Sequence, residues 1–541
     1  MRLLSIPAIA AMALMLASCE GRPTLSCDPG KLCIHAGNTA EPISMDPPKT
    51  TGTWEDAIMS DMFLGLLTDN AAGEPIPGIA TSWSVTPDGL VWTFKLRDMT
   101  WSDGVPLTAD DVVFSLRRLE DPKTTSEYAY LLYVIKNAEK VSGGKAAPET
   151  LGVRALDPHT VEITLEHPAP YLLQLLKHQI TYPVPAHIVR RWGDAWTKPE
   201  HIATSGPFTL SYWRLGDRIR LVRNNRFYDA KNVCLDEVYY YPISDKTSAE
   251  RRVMRGELDV NNDIQSNRID YLRKQPTMRP YVRVAPYLGN AYLAFNTNLP
   301  KFRDKRVRLA LSMAIDRDFI VNKLRRGGEK PAYGFVPPGM ADYPAGAKVY
   351  WADWSFAKRQ AEARKLLADA GYGPQHPLKV EITHRGLDHA IFPAIQADWK
   401  DIGVVVTLTG AESQIAYQAF RSRDFEVADV GWIADFNDAL TFLGLNQSTT
   451  GAQNYGDYKN PAYDALLAQA DLEPDAKKRA ALLVAAERLV IDDAPITAIF
   501  YLVNKNLVNP NVTGWVDNIM DHHRMRWVCF KDAEARRHGS R

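Results

Sequence analysis

The chain has 541 residues, and its 64 Lys and Arg balance 64 Asp and Glu, so the formal charge is zero. That excludes the clustered basic surplus of a nucleic-acid protein. Apolar residues at 45 % and charged residues at 24 % exclude disorder and collagen-like repeats. At about 100–200 residues per domain the length predicts several domains, and no apolar run attains the roughly 18–20 residues of a membrane-spanning helix.

In chain order, residues 1–18 carry one charge, Arg2, and a short apolar core that stops before Cys19. This is the form of a secretory signal. Beyond Cys19 lie Cys27, Cys33, Cys234 and Cys529, an even number that suits disulfides in an oxidising compartment. Three pairings are possible. Asp28-Pro29-Gly30 is a turn sequence that lets Cys27 and Cys33 close a small loop, which leaves Cys234 with Cys529. The spacing of Cys27 and Cys33 is a weak zinc signature, and no metal is expected.

Strand and helix signals alternate irregularly, predicting a mixed α/β protein. Trp92, Phe94 and Leu96 alternate with polar residues, so 91–97 reads as a half-buried strand. Residues 152–166 read as a hairpin around Asp157-Pro158-His159, and Glu237 to Ile243 as a further strand. Val404-Val405-Val406 reads as a short buried strand. Helical stripes predict helices over 304–317 and 356–370, the second ended by Gly371, and from Asp475, as cap, to Val490.

Catalytic and cofactor signatures are absent: no P-loop, nucleophile elbow, zincin or EF-hand pattern occurs. His384 with His389 and His522 with His523 lack a third ligand at metal spacing. The chain is therefore expected to bind rather than catalyse, with no cofactor.

Leu16-Ala17-Ser18-Cys19 resembles the lipobox of bacterial lipoproteins, which implies cleavage before Cys19 and its acylation, leaving 19–34 as a tether. Six further stretches, in order, resemble one family: Glu41 to Pro47, Pro77 to Trp83, Trp101 to Val112, Asn296-Thr297-Asn298, Arg306 to Arg317 and Gly431 to Asn437. They look like the large oligopeptide- and murein-peptide-binding lipoproteins of ABC importers. The resemblance implies a two-lobed periplasmic binding protein fold of clamshell form, with an inserted additional domain. Domain I would be 35–63, 188–287 and 503–541, domain II 64–187 and domain III 288–502. The chain would cross between lobes near Tyr287 to Asn290 and Leu502 to Asn504. Both Cys234 and Cys529 then fall in domain I.

The same resemblance implies a monomeric receptor of the periplasm or cell envelope. It would deliver oligopeptides to a permease with two transmembrane and two ATPase subunits, and contact no nucleic acid. The alternative within the fold is a receptor for a metal chelate, haem, an opine or a sugar. By motif match, Asp435 would hold the peptide ammonium, although an Asp before Phe436 could also cap a helix. Backbone groups of Gly431 and Ile433 would hold the peptide as an added strand, and Trp432, Tyr287 and Tyr128 would wall the pocket. Asn262 would lie on the domain I side, and His389 would help with the carboxylate end. The chain departs from the family at three places. Asp429 stands where relatives carry an Arg, which predicts a preference for cationic or neutral ligand groups there. Ser413 replaces an aromatic wall. Gly289 and Ile433 replace the two cysteines of a domain III disulfide.

Overall fold

The computed structural model describes residues 27–341, 343, 346–386 and 390–538. Cys19 and His389 lie outside them. Ten strands of the main sheet run in the order Val405–Ala411, Lys379–Arg385, Val427–Ile433, Val282–Phe295, Ile496–Val508, Val260–Asn261, Cys33–Asn38, Glu237–Pro242, Arg218–Arg223 and Phe208–Arg214. The central pair, 14 and 13 residues long, is antiparallel. At about 3.3 Å per residue each strand is about 45 Å long, enough to belong to two lobes at once. Their register breaks midway: Pro286 faces Val503, but the next pair is Asn290 with Tyr501. Three residues, Tyr287 to Gly289, therefore oppose Leu502 alone, a bulge that bends the ladder.

On one side of the break, the sheet built on Cys33–Asn38 packs against a separate antiparallel sheet. Its order is Ala80–Val85, Val91–Leu96, Thr160–Thr164, Val153–Asp157. One continuous apolar core holds Ile34, Phe208 and Val238 with Phe94, Leu116 and Val161, so both sheets belong to one lobe. On the other side, the strands Val405–Ala411, Lys379–Arg385 and Val427–Ile433, with the adjoining halves of the two long strands, form a sheet with a core on each face. One holds Tyr292, Phe335, Phe442 and Tyr463, the other Phe295, Leu311, Phe392 and Trp399. Helices cover both faces, as a mixed α/β layer requires.

The local elements follow from simple patterns. Trp92, Phe94 and Leu96 are buried along their strand. The hairpin of 152–166 pairs Val153–Asp157 with Thr160–Thr164. Asp475 caps the helix Ala476–Asp493 by accepting from the Lys478 amide. The helix Phe356–Asp369 ends before Gly371, whose φ of +90° needs a residue without Cβ. Two expectations change. The helix of 304–317 stops at Met313, because Asp316 caps a new turn through the Phe319 amide. The strand expected to be buried at Val404 to Val406 is Val405–Ala411 at the sheet edge, with Val405 50 % exposed. Only Val404 is buried. A β-branched run signals a strand but does not say whether both faces are covered.

Two disulfides, Cys27–Cys33 and Cys234–Cys529, close in the first lobe. The same C-terminal segment supplies a buried ion network. Asp69 accepts from Lys177 at 2.6 Å and from Arg524 at 2.7 Å, and His522 Nδ1 lies 3.1 Å away. Burial opposes ionisation of Asp69, but Lys177, Arg524 and His522 outweigh it and hold the carboxyl well below its usual range. Replacing one member leaves the others charged and desolvated. Asp69→Asn is therefore expected to cost about 3–5 kcal/mol, read from urea unfolding. A loss below 1 kcal/mol, about what an exposed pair gives, would show the network to be solvated.

Candidate functional site

The strand Val427–Ile433 is inner for its first half and an edge for its second. Its parallel neighbour, Lys379–Arg385, pairs with it only at Val427 and Ala428. On the other side it stays paired with Val282–Phe295 through Ile433. The Ala434 amide donates to Leu288 and the Asn296 amide to Glu426. In an antiparallel ladder hydrogen-bonded pairs alternate, so Trp432 and Val430 direct their backbone groups to Val282–Phe295. Gly431 and Ile433 direct theirs to the other side, where no strand of the described residues continues. A Cβ on Gly431 would lie 3.2 Å from the Asn290 carbonyl oxygen and 3.5 Å from Arg385 Nη2. The position suits glycine because backbones crowd there.

Past the strand, the chain turns so that the Asp435 amide donates to Thr441 Oγ1 at 3.1 Å. Thr441 in turn donates to Asp435 Oδ2 at 3.3 Å and accepts from Trp432 Nε1 at 3.3 Å. One hydroxyl thus fixes both the carboxylate and the indole. The Tyr128 hydroxyl, from the first lobe, also donates to Asp435. Asp435 is half-buried. Burial pushes its pKa up to about 7, against the pull of the Thr441 and Tyr128 hydrogen bonds. Among the described residues no basic side chain offsets that burial. Asp435 does not cap the following helix, which is Leu440–Leu443 with Ala439 at its N-cap.

The facing wall is aromatic. Tyr128 stacks on Tyr130 at 5.7 Å and on His178 at 5.9 Å. Burial lowers the His178 pKa to about 4, so at neutral pH it is an uncharged ring. The lobes touch: Tyr171 stacks on Phe436 at 5.4 Å, and Arg421 lies 3.8 Å from Glu127.

Asp429 is buried and already has a cation. Arg385 approaches it with Nε and Nη2, each at 3.3 Å, and with its own backbone amide at 3.2 Å. Arg385 Nη1 also donates to the Tyr417 hydroxyl at 2.6 Å. The expected bias towards cationic ligand groups therefore loses its basis, because the charge reversal at 429 is met by Arg385 on the neighbouring strand.

The remaining sequence-derived residues scatter. Tyr287 is half-buried in the register break, near the carboxylates of Asp521, Asp263 and Asp56. Asn262 precedes Asp263, whose φ is +61°. Ser413 is exposed on the first turn of the helix Ser413–Ser422, behind its cap Glu412. No hydrogen bond or ring contact among the described residues joins these three to Asp435. Gly289 and Ile433 face each other across the ladder. His522 and His523 turn to different carboxylates, Asp69 and Asp521. Sequence reading missed Thr441, Tyr130, His178 and Arg385.

Residues 74–454 match the family model of bacterial extracellular solute-binding proteins, family 5, middle region. The periplasmic oligopeptide-binding protein OppA of Escherichia coli is 39 % identical over 495 residues, covering 90 % of each chain. The solved murein tripeptide binding protein MppA of Escherichia coli is 36 % identical, with a TM-score of 0.84 over 92 % of this chain and 98 % of that one. In its unliganded open form MppA gives 0.76. Haemophilus influenzae OppA, in complex with RPPGFSPFR, is 32 % identical, with a TM-score of 0.83 over 92 % and 99 %. The chain belongs to family 5 of the bacterial extracellular solute-binding proteins. It has their two-lobed binding-protein fold, and its place is outside the cytoplasm.

If Arg385 and Asp429 act as one pair, their effects on stability will not add. A double-mutant cycle with Arg385→Met and Asp429→Asn is expected to give a coupling of about 1–3 kcal/mol in thermal or urea unfolding. Additive losses would show that Arg385 is held by Tyr417 alone.

Proposed function

We propose that this protein captures oligopeptides between its lobes and delivers them to an ABC importer. The observation that carries this reading is the unpaired strand edge at Gly431 and Ile433, ending beside the uncompensated carboxylate of Asp435. An extended peptide can add to that edge through main-chain hydrogen bonds and leave its side chains unread. Its α-ammonium then supplies the cation that Asp435 lacks, a charge-assisted contact in a desolvated place. Trp432 and Tyr128, with Tyr287 further along, form a stiff amphipathic wall that tolerates varied side chains. Asn262 and Ser413 are the more remote positions along the cleft, and His389 completes the carboxylate end. The neutral pair of Asp429 and Arg385 closes the floor without selecting ligand charge. Relatives named for oligopeptide and murein-peptide binding, one of them in complex with RPPGFSPFR, support the peptide reading. A strand edge is of no evident use to a haem, chelate, opine or sugar ligand.

In this reading 35–63, 188–287 and 503–541 form domain I, 64–187 domain II and 288–502 domain III. The lobes hinge where the two long strands lose register, a standard closure about a ligand. The monomer is tethered to the membrane through acylated Cys19. It hands its peptide to a permease of two transmembrane and two ATPase subunits.

Asp435→Asn is expected to weaken binding of a free-amino-terminal peptide by about 2–5 kcal/mol in calorimetry. Because the carboxyl titrates near 7 and only its charged form holds an ammonium well, affinity should fall as pH drops from 7 towards 5, by up to about tenfold per unit. Acetylating the peptide amine should abolish that slope. Full affinity at pH 5, or for the Asn variant, would remove Asp435 from ammonium binding. Cys19→Ala should move the protein from the detergent to the aqueous phase on phase partitioning. Retention in the detergent phase would reject the anchor.

A further inference from the structure

Away from the residues assigned to peptide binding, the strand Cys33–Asn38 carries Cys33 and His35 on one face, since side chains two apart in a strand point the same way. The His35 Nε2 atom lies 3.3 Å from Cys33 Sγ, and Cys27 is bridged to Cys33. The two sulfur atoms and the imidazole nitrogen all lie within 4.8 Å of one another. Cys33 and His35 are 1 % exposed, whereas Cys27 is half-buried in the segment entering the strand. The other ring nitrogen, Nδ1, is 2.9 Å from the Tyr241 hydroxyl, and the ring stacks on Tyr239 with centroids 5.0 Å apart. This is how ligating histidines are built: one nitrogen towards the metal, the other held by an outer partner that fixes tautomer and orientation. A disulfide needs no such imidazole.

We propose that the Cys27–Cys33 bridge, once reduced, becomes a three-coordinate site for a thiophilic monovalent cation, Cu(I), with His35 Nε2 as third ligand. The steps balance. A dithiol reductant gives the bridge two electrons and two protons and closes to its own disulfide. Cu(I) then displaces the thiol protons, which pass to solvent. Two thiolates and one imidazole are soft donors in a small, largely buried set, which favours Cu(I) over harder ions. Metal–sulfur bonds of about 2.3 Å and a metal–nitrogen bond of about 2.0 Å place donors roughly 3.5–4 Å apart. The Cys27 side chain can supply that change, because it enters from the chain end of the strand. Oxidised, the same atoms hold no metal, so the site is gated by the redox state of its surroundings.

The test is a titration of the mature chain, carrying Cys19→Ser, with Cu(I) against bicinchoninate, after dithiol reduction and anaerobic desalting. One Cu(I) per reduced chain and none per oxidised chain is expected, with X-ray absorption giving two sulfur and one nitrogen neighbours. His35→Gln should weaken binding at least about tenfold, and Tyr241→Phe by about tenfold, as loss of an outer partner does. Both variants should keep peptide affinity when oxidised, which establishes that they fold. Unchanged copper affinity in His35→Gln would overturn the proposal. So would copper that disappears only in Cys234→Ser/Cys529→Ser, or the absence of stoichiometric binding.

Discussion

Everything in this molecule depends on two strands that do not end where a lobe ends. Val282–Phe295 and Ile496–Val508 pair on both sides of the cleft and lose register chiefly between Pro286 and Asn290, with a further one-residue shift between Ala291 and Tyr292. A paired ladder is stiff because its amides and carbonyls are mutually satisfied. Where three residues face one, that stiffness is relieved over a short span. Each lobe builds its own cores, and the bulge marks where the ladder passes from one to the other. Asp435, opposite Tyr128, follows directly on that stretch, where the Ala434 amide donates to Leu288 inside the larger break.

The two carboxylates near the cleft show how environment divides like residues between roles. Asp429 lies within the strand, and Arg385 on the adjacent strand meets it with two nitrogens and an amide. Asp435 lies two residues beyond the same strand and receives only neutral donors, from Thr441 and Tyr128. The first is satisfied by the fold. The second is satisfied only partly, and its raised pKa expresses the missing cation. Six residues of separation suffice because Asp429 lies just past the last paired residue, Ala428, still within reach of Arg385, whereas Asp435 lies beyond the strand.

Much of this was legible in the sequence. Alternation gave the strand of Trp92 to Leu96, and an Asp and a glycine marked the helix ends at Asp475 and Gly371. The ordered motifs pointed to the family and to Asp435. What stayed hidden needed tertiary facts. Val404 to Val406 is strongly β-forming wherever it lies, so its pattern could not tell an edge from an interior strand. Thr441 is an ordinary helix threonine until the chain reverses and brings it to Asp435. Arg385 lies 44 residues before Asp429, and only sheet order reveals them as neighbours. The spacing of Cys27 and Cys33 carries no sign of His35, which meets the sulfur only because it shares a strand face with Cys33.

The network around Asp69 has a consequence for how the chain comes into being. Its cations, Lys177 and Arg524, follow it by 108 and 455 residues. At a synthesis rate of about 5–20 residues per second, Arg524 emerges roughly half a minute to a minute and a half after Asp69. Until then Asp69 has only Lys177 of its two cations, and Cys234 lacks its bridge partner Cys529. The lobe that begins the polypeptide is thus the last to be completed. A nascent chain arranged in this way stays incompletely folded until nearly all of it has been made, which is the condition in which a polypeptide can be threaded across a membrane.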